Sequence, residues 1–186
     1  SWDRIAWSTR PADGAARIVA RLEPSTAELR YRGFSALVRR APNAPHAFDY
    51  ARVATDSPWL PFPGRYTRFG DVRELLVDGD DRYVVMGAGD ELALLFDARE
   101  LPSPEPGFER TVFLESYGWD KDADRNTGEG LQVGPLPYRG MSSYPYGPGD
   151  AYPAELEAYV EEWLTRQVRP AATLLTAKRD RTRTDP

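Results

Sequence analysis

An all-β domain is the architecture this sequence predicts, a sandwich of jelly-roll or galactose-binding-like type closed by one C-terminal amphipathic helix. Seventeen prolines, fifteen glycines and 12% aromatic residues suit a loop-rich, ring-packed domain, because Pro and Gly are poor residues for helix interiors. Short runs of alternating apolar and polar residues recur between turn signals, the period-2 mark of strands with one wet face. Only one stretch, near the C-terminus, carries a convincing helical stripe.

Taken in order, Arg17 to Leu22 and Glu28 to Arg32 alternate and are expected as strands, followed by Phe34 to Val38 and Phe48 to Val53. Pro42 and Pro45 cannot donate to a ladder and mark the turn between the last two. Phe62-Pro63-Gly64-Arg65 reads as a turn. Asp71 with Glu74 three positions on offers a capping box for a short helix through Leu76, with a strand as the alternative. Arg82 to Met86 and Glu91 to Phe96 form a hairpin candidate across Gly87-Ala88-Gly89-Asp90, whose glycines permit positive φ. Both arms are apolar at nearly every position, so they are expected to be covered on both faces. Leu101 to Gly107, with its three prolines, is an exposed connection to another expected strand, Thr111 to Tyr117. Pro135 to Pro153 is too aromatic for a disordered linker and is expected to wrap the surface with rings tucked against the core. The helix is expected over Ala154 to Val168, with Leu156, Tyr159, Val160, Trp163, Leu164 and Val168 on its docking stripe.

One β-rich domain over residues 1–176 and a flexible charged tail over 177–186 account for the 186 positions. A chain of this length buries roughly 70% of its unfolded surface and needs no covalent staple. A net charge of −5 argues against a nucleic-acid partner, which normally requires a concentrated basic face. The absence of cysteine removes disulfides, thiol catalysis and thiolate metal sites, and leaves the redox compartment open. No window approaches the ~20 apolar residues that span a bilayer. The start, Ser1-Trp2-Asp3, has neither an initiator Met nor a signal peptide, and predicts a chain cut from a longer precursor.

The run Gly118 to Asn126 places Asp120, Asp122, Asp124 and Asn126 at alternate positions after a strand-like segment. Calcium takes six to eight oxygen ligands, and an alternating Asp series can offer several from a short loop. An EF-hand is rejected, since its sixth and twelfth positions, counted from Asp120, hold Arg125 and Leu131 where Gly and Glu are required. Two readings remain: a looser calcium site using Asp120, Asp122, Asp124, Asn126 and Glu129, and a solvated turn whose Asp and Asn side chains cap local N–H groups. Tyr117, Trp119, Tyr138, Tyr144, Tyr146 and Tyr152 lie near this loop in sequence, and exposed rings such as Tyr117, Trp119, Tyr144 and Tyr146 could stack on sugar faces. The competing reading is that they cover a core edge.

Other chemistry has less material. Gly87-Ala88-Gly89 lacks the third glycine and the following helix of a dinucleotide loop. His46 is the sole histidine, next to Pro45 in an expected loop, so a His-based triad or multi-His metal site has almost no material, and a solitary structural or exposed histidine is expected. Glu115 with Asp120 or Asp122 would serve a glycosidase only if two carboxyl groups face each other across roughly 5–10 Å. No catalytic residue is assigned.

Several blocks carry a resemblance: Tyr31-Arg32-Gly33-Phe34-Ser35, Arg65 to Val72, Gly89-Asp90-Glu91, Gly118 to Asp124, Pro135-Leu136-Pro137 and Met141 to Tyr146. Their order over residues 31–146 resembles the C-terminal region of secreted bacterial proteins with FG-GAP propeller repeats and an ASPIC/UnbV segment, a group similar to cartilage acidic protein. The resemblance implies export and an extracellular setting, and no established reaction. The repeated Asp-rich propeller loops and the ASPIC/UnbV segment are themselves missing, so the propeller's activity is not carried over. The expectation is an accessory recognition module binding carbohydrate or a protein domain of the same precursor, or else a packing domain of that precursor.

Overall fold

The computed structural model describes residues 20–38, 44–45, 47–54, 61–104, 106–121, 124 and 126–169. Seven short strands, one α-helix and three 3₁₀ turns make up its regular structure. The strands form a three-stranded antiparallel sheet and two antiparallel pairs, and the described residues form no sandwich and no closed barrel.

Strand β1, Thr26–Tyr31, is the centre of the larger sheet. Its alternation is strict where it matters: Ala27 and Leu29 are buried while Thr26, Glu28 and Arg30 are exposed. On one side β1 pairs with β5, Gly70–Asp71; on the other it pairs with β6, Asp90–Leu95, in unbroken register from Thr26 opposite Leu95 to Tyr31 opposite Asp90. Strands β2, Phe34–Val38, and β3, Ala47–Ala54, pair with each other across an irregularity between Ser35 and Ala36. Strand β4, Gly64–Tyr66, pairs with β7, Arg166–Val168, so two distant parts of the chain are joined. Gly64 has φ of 147°, and a Cβ there would lie 2.5 Å from that of Val133, so the expected turn at 62–65 is instead a strand start pressed against another segment.

The core consists of Ala27, Leu29, Val72, Leu75, Tyr159, Trp163 and Leu164. Helix α1, Glu157–Trp163, supplies Tyr159 and Trp163. It is shorter than the stripe predicts. Residues 154–156 form a 3₁₀ turn, and the backbone leaves helical geometry at Leu164 so that Val168 sits in β7. The reason lies in Arg65. Its guanidinium donates to the Leu164 carbonyl at 2.8 Å and the Val160 carbonyl at 3.1 Å, and it meets Glu161 at 2.6 Å. The Leu164 carbonyl, which a longer helix would satisfy internally, is satisfied by this side chain instead, while the Val160 carbonyl also accepts from the Leu164 N–H at 3.1 Å.

Further expectations are corrected. Residues 71–76 are part strand and part helix: Asp71 ends β5, and Arg73–Leu76 is a 3₁₀ turn that buries Leu75. No capping box forms, because the Asp71 carboxylate accepts from the Arg73 N–H and Glu74 pairs with Arg82. The 82–96 hairpin does not form. Its turn does, with the Asp90 N–H donating to Gly87 O at 3.0 Å and the Asp90 carboxylate accepting from the Gly87 N–H at 2.7 Å. Val85, however, exchanges its hydrogen bonds with Thr67, backbone and hydroxyl, while β6 takes β1 as its ladder partner. Residues 111–117 form no strand; they run exposed. The expected strand at 17–22 is not formed over 20–22, and its first residues, like His46, Asp122 and the tail from 177, lie outside the described residues.

Candidate functional site

The second half of the domain is held in a different way from the core. From Pro102 to Pro153 there is no α-helix or strand among the described residues, and the backbone is fixed by isolated turn bonds together with side chains. The Asp150 carboxylate accepts from the Ser142 N–H, the Ser142 hydroxyl and the Gly147 N–H, which holds it below the usual carboxylate range. Tyr144 donates to Pro135 O at 2.9 Å, and Tyr146 donates to Leu136 O. Tyr138 meets the rings of Tyr146 and Tyr152 edge-on at 5.3 and 6.3 Å. Burial pushes the phenols of Tyr146 and Tyr152 up to about 12. The expected wrapping by tucked rings is therefore what the structure contains, and the hydroxyls of Tyr144 and Tyr146 are committed to internal carbonyls.

Among the described residues, the acids of this loop are not gathered into a metal-holding group. Asp124 accepts from the backbone and side-chain amides of Asn126 at 2.8 and 2.9 Å, the local capping that the solvated-turn reading describes. The Glu129 carboxylate accepts from Gln132 Nε2 at 2.6 Å. Asp120 is exposed, and among the described residues no group of three His, Asp or Glu side chains could hold a metal ion. Glu115 bonds the Tyr117 hydroxyl at 2.8 Å and faces Arg21 at 3.9 Å.

What the loop does surround is a cation from its own chain. The Lys121 ammonium donates to the carbonyls of Glu129 (3.2 Å), Gln132 (2.9 Å) and Gly134 (3.2 Å), and lies 5.1 Å from the Tyr144 ring centre. Trp119 packs on that same ring at 5.1 Å. Burial lowers the Lys121 pKa, and the charge of Glu129 opposes this. Lys121 was missed because it stands among acids and reads as a solvated counter-charge.

Preceding the loop, residues 106–119 expose Phe108 (69%), Val112 (82%), Phe113 (81%), Leu114 (72%) and Tyr117 (73%). None of the described backbone–backbone bonds involves residues 106–119. Trp119 is half exposed at its end.

Two other loci lie outside the acid-rich loop. An open cleft of about 540 Å³ is lined by Arg68, Asp71, Arg73, Glu74, Glu162 and Trp163, with the Arg68 guanidinium 4.2 Å from the Trp163 ring centre. No acid-loop residue lines it. Arg166 forms a bidentate pair with Asp90 at 2.6 and 3.3 Å, bonds Thr67 O, and stacks 3.8 Å from the Phe69 ring centre. The Asp90 side chain is 2% exposed, so this pair is an internal brace joining β6, β7 and the 67–69 segment.

No family model, no curated protein and no solved structure matches this chain. Among the described residues no helix is long and apolar enough to cross a membrane.

Proposed function

We propose that this is a non-catalytic interaction domain that docks onto another domain of its own exported precursor through residues 108–119. The observation that carries the reading is the group of large apolar side chains left in solvent within one ten-residue stretch, Phe108, Val112, Phe113, Leu114 and Tyr117. Exposed apolar side chains grouped in this way mark contact sites more often than scattered ones do. A segment outside helix and strand, with no described backbone–backbone bond, is also able to add to the edge of a partner sheet, where main-chain bonds supply affinity and alternate side chains supply specificity. The likeness of residues 31–146 to the end of exported propeller proteins supports export and suggests the precursor's propeller as the partner. Carbohydrate is the less favoured ligand, because the Tyr144 ring is packed against Trp119 and Lys121 and the Tyr146 ring against Tyr138.

The test is capture of the precursor's propeller domain by the isolated domain, wild type against Val112→Glu/Phe113→Glu. The expected result is capture by wild type and at least a tenfold loss in the variant, with stability changed by less than about 0.5 kcal/mol because both side chains are already in water. Equal capture by both proteins, or none by wild type together with binding on a glycan array, would remove this reading.

A further inference from the structure

We infer that the turn from Glu129 to Gly134 is a receptor for a primary ammonium ion, and that Lys121 is its built-in occupant, ordering the acid-rich loop where a metal ion would otherwise be sought. The inference stands apart from the docking role of residues 108–119. Three main-chain oxygens converge on one Nζ at 2.9–3.2 Å, which matches the three donors of an ammonium group. The Tyr144 ring closes a further side at 5.1 Å. Carbonyl oxygens and a ring face are ligands for a cation, and here the cation arrives on a four-carbon stem from the loop that has to be held.

The composition points to the same residue. Twenty-two of the twenty-four basic side chains are arginine, and Lys121 is one of only two lysines. Elsewhere guanidinium groups do the pairing, as at Arg30, Arg65, Arg82 and Arg166. A guanidinium presents a flat fork of donors suited to carboxylates, whereas three carbonyls around a point call for the compact ammonium head. Arginine at position 121 would not reproduce the contacts.

Lys121 is therefore a positioning residue: by fixing itself to the 129–134 turn it sets Trp119, two positions away, against Tyr144. The core cluster contains no residue of this region, so loss of the ammonium is expected to loosen the loop without unfolding the domain.

The experiment compares wild type, Lys121→Met, Lys121→Arg and Lys121→Ala by backbone amide exchange over residues 118–134 and by thermal melting. Met, Arg and Ala variants are expected to exchange at least tenfold faster there and to melt roughly 3–10 °C lower, the scale of hydrogen bonds to one charged group in a domain of this size. Ethylammonium chloride near 0.1 M is expected to restore much of the protection in Lys121→Ala, and tetramethylammonium, which has no N–H donor, is not. In wild type, acylation of Lys121 read by mass spectrometry should be at least tenfold slower than in urea, a measurement that needs no variant. Wild-type exchange in Lys121→Met, equal rescue by both ammonium salts, or rescue by millimolar calcium in place of ethylammonium would each overturn the inference.

Discussion

The residues around β1 and α1 and the residues from Phe108 to Pro153 come from one chain with one composition, yet they are held together by different physics. In the first region apolar side chains are spaced so that Ala27 and Leu29 from a strand meet Tyr159, Trp163 and Leu164 from the helical end. Main-chain groups bond one another along the ladder, and side chains are free to be hydrophobic. In the second region the main chain has little ladder to enter, and Lys121, Tyr144, Tyr146 and Asp150 supply the bonds instead. Large apolar residues there, Val112 and Phe113 among them, are left outside. The comparison shows that strand-forming residues become a strand only where a neighbouring edge exists.

The sharpest way to break this contrast is at the brace that joins the sheets. Arg166→Met leaves the 2%-exposed Asp90 carboxylate without its guanidinium, and it should cost about 3–5 kcal/mol in urea unfolding. Arg166→Met with Asp90→Asn should recover much of that loss, and a double variant as unstable as the single one would show that packing on Phe69 matters more than charge. Leu29→Ala, a truncation in the most buried strand position, should cost about 2–5 kcal/mol, measured the same way.

An alkaline titration sharpens the comparison from the other side. Tyr146 and Tyr152 are raised to about 12 from the usual 10.0, so the neutral phenol is the folded-state form. Their contribution to stability is fully present below pH 10, falls between pH 10 and about 12, and is lost as the folded-state groups ionise. Tyrosinate absorbance should therefore lag behind that of a urea-unfolded sample. Tyr146→Phe, which loses only the bond to Leu136 O, should lower stability least of these changes, by about 1 kcal/mol or less in urea unfolding.

Much of the first region was legible in the sequence. Alternation at Glu28 to Arg32 and at Phe34 to Val38 marked strands that exist, and the spacing of Tyr159, Val160, Trp163 and Leu164 marked the face that packs on the sheet. Period alone cannot say which edge a strand will find. For that reason the 87–90 turn was readable from Gly87 and Asp90, while the choice of β1 over residues 82–86 as the partner of β6 was not. The helix end at Leu164 depended on Arg65, ninety-nine positions earlier, which no local pattern reports.

At the candidate site the sequence established the residue types and their order: acids at 120, 122, 124 and 129, an amide at 126, rings at 117, 119, 144 and 146, and one lysine among them. Composition and spacing are local properties, and they determined that this stretch would be polar, aromatic and irregular. Which oxygens face which cation is decided by how the 118–134 loop closes on itself. Backbone carbonyls have no identity in a sequence, and only the tertiary structure could bring three of them to Lys121.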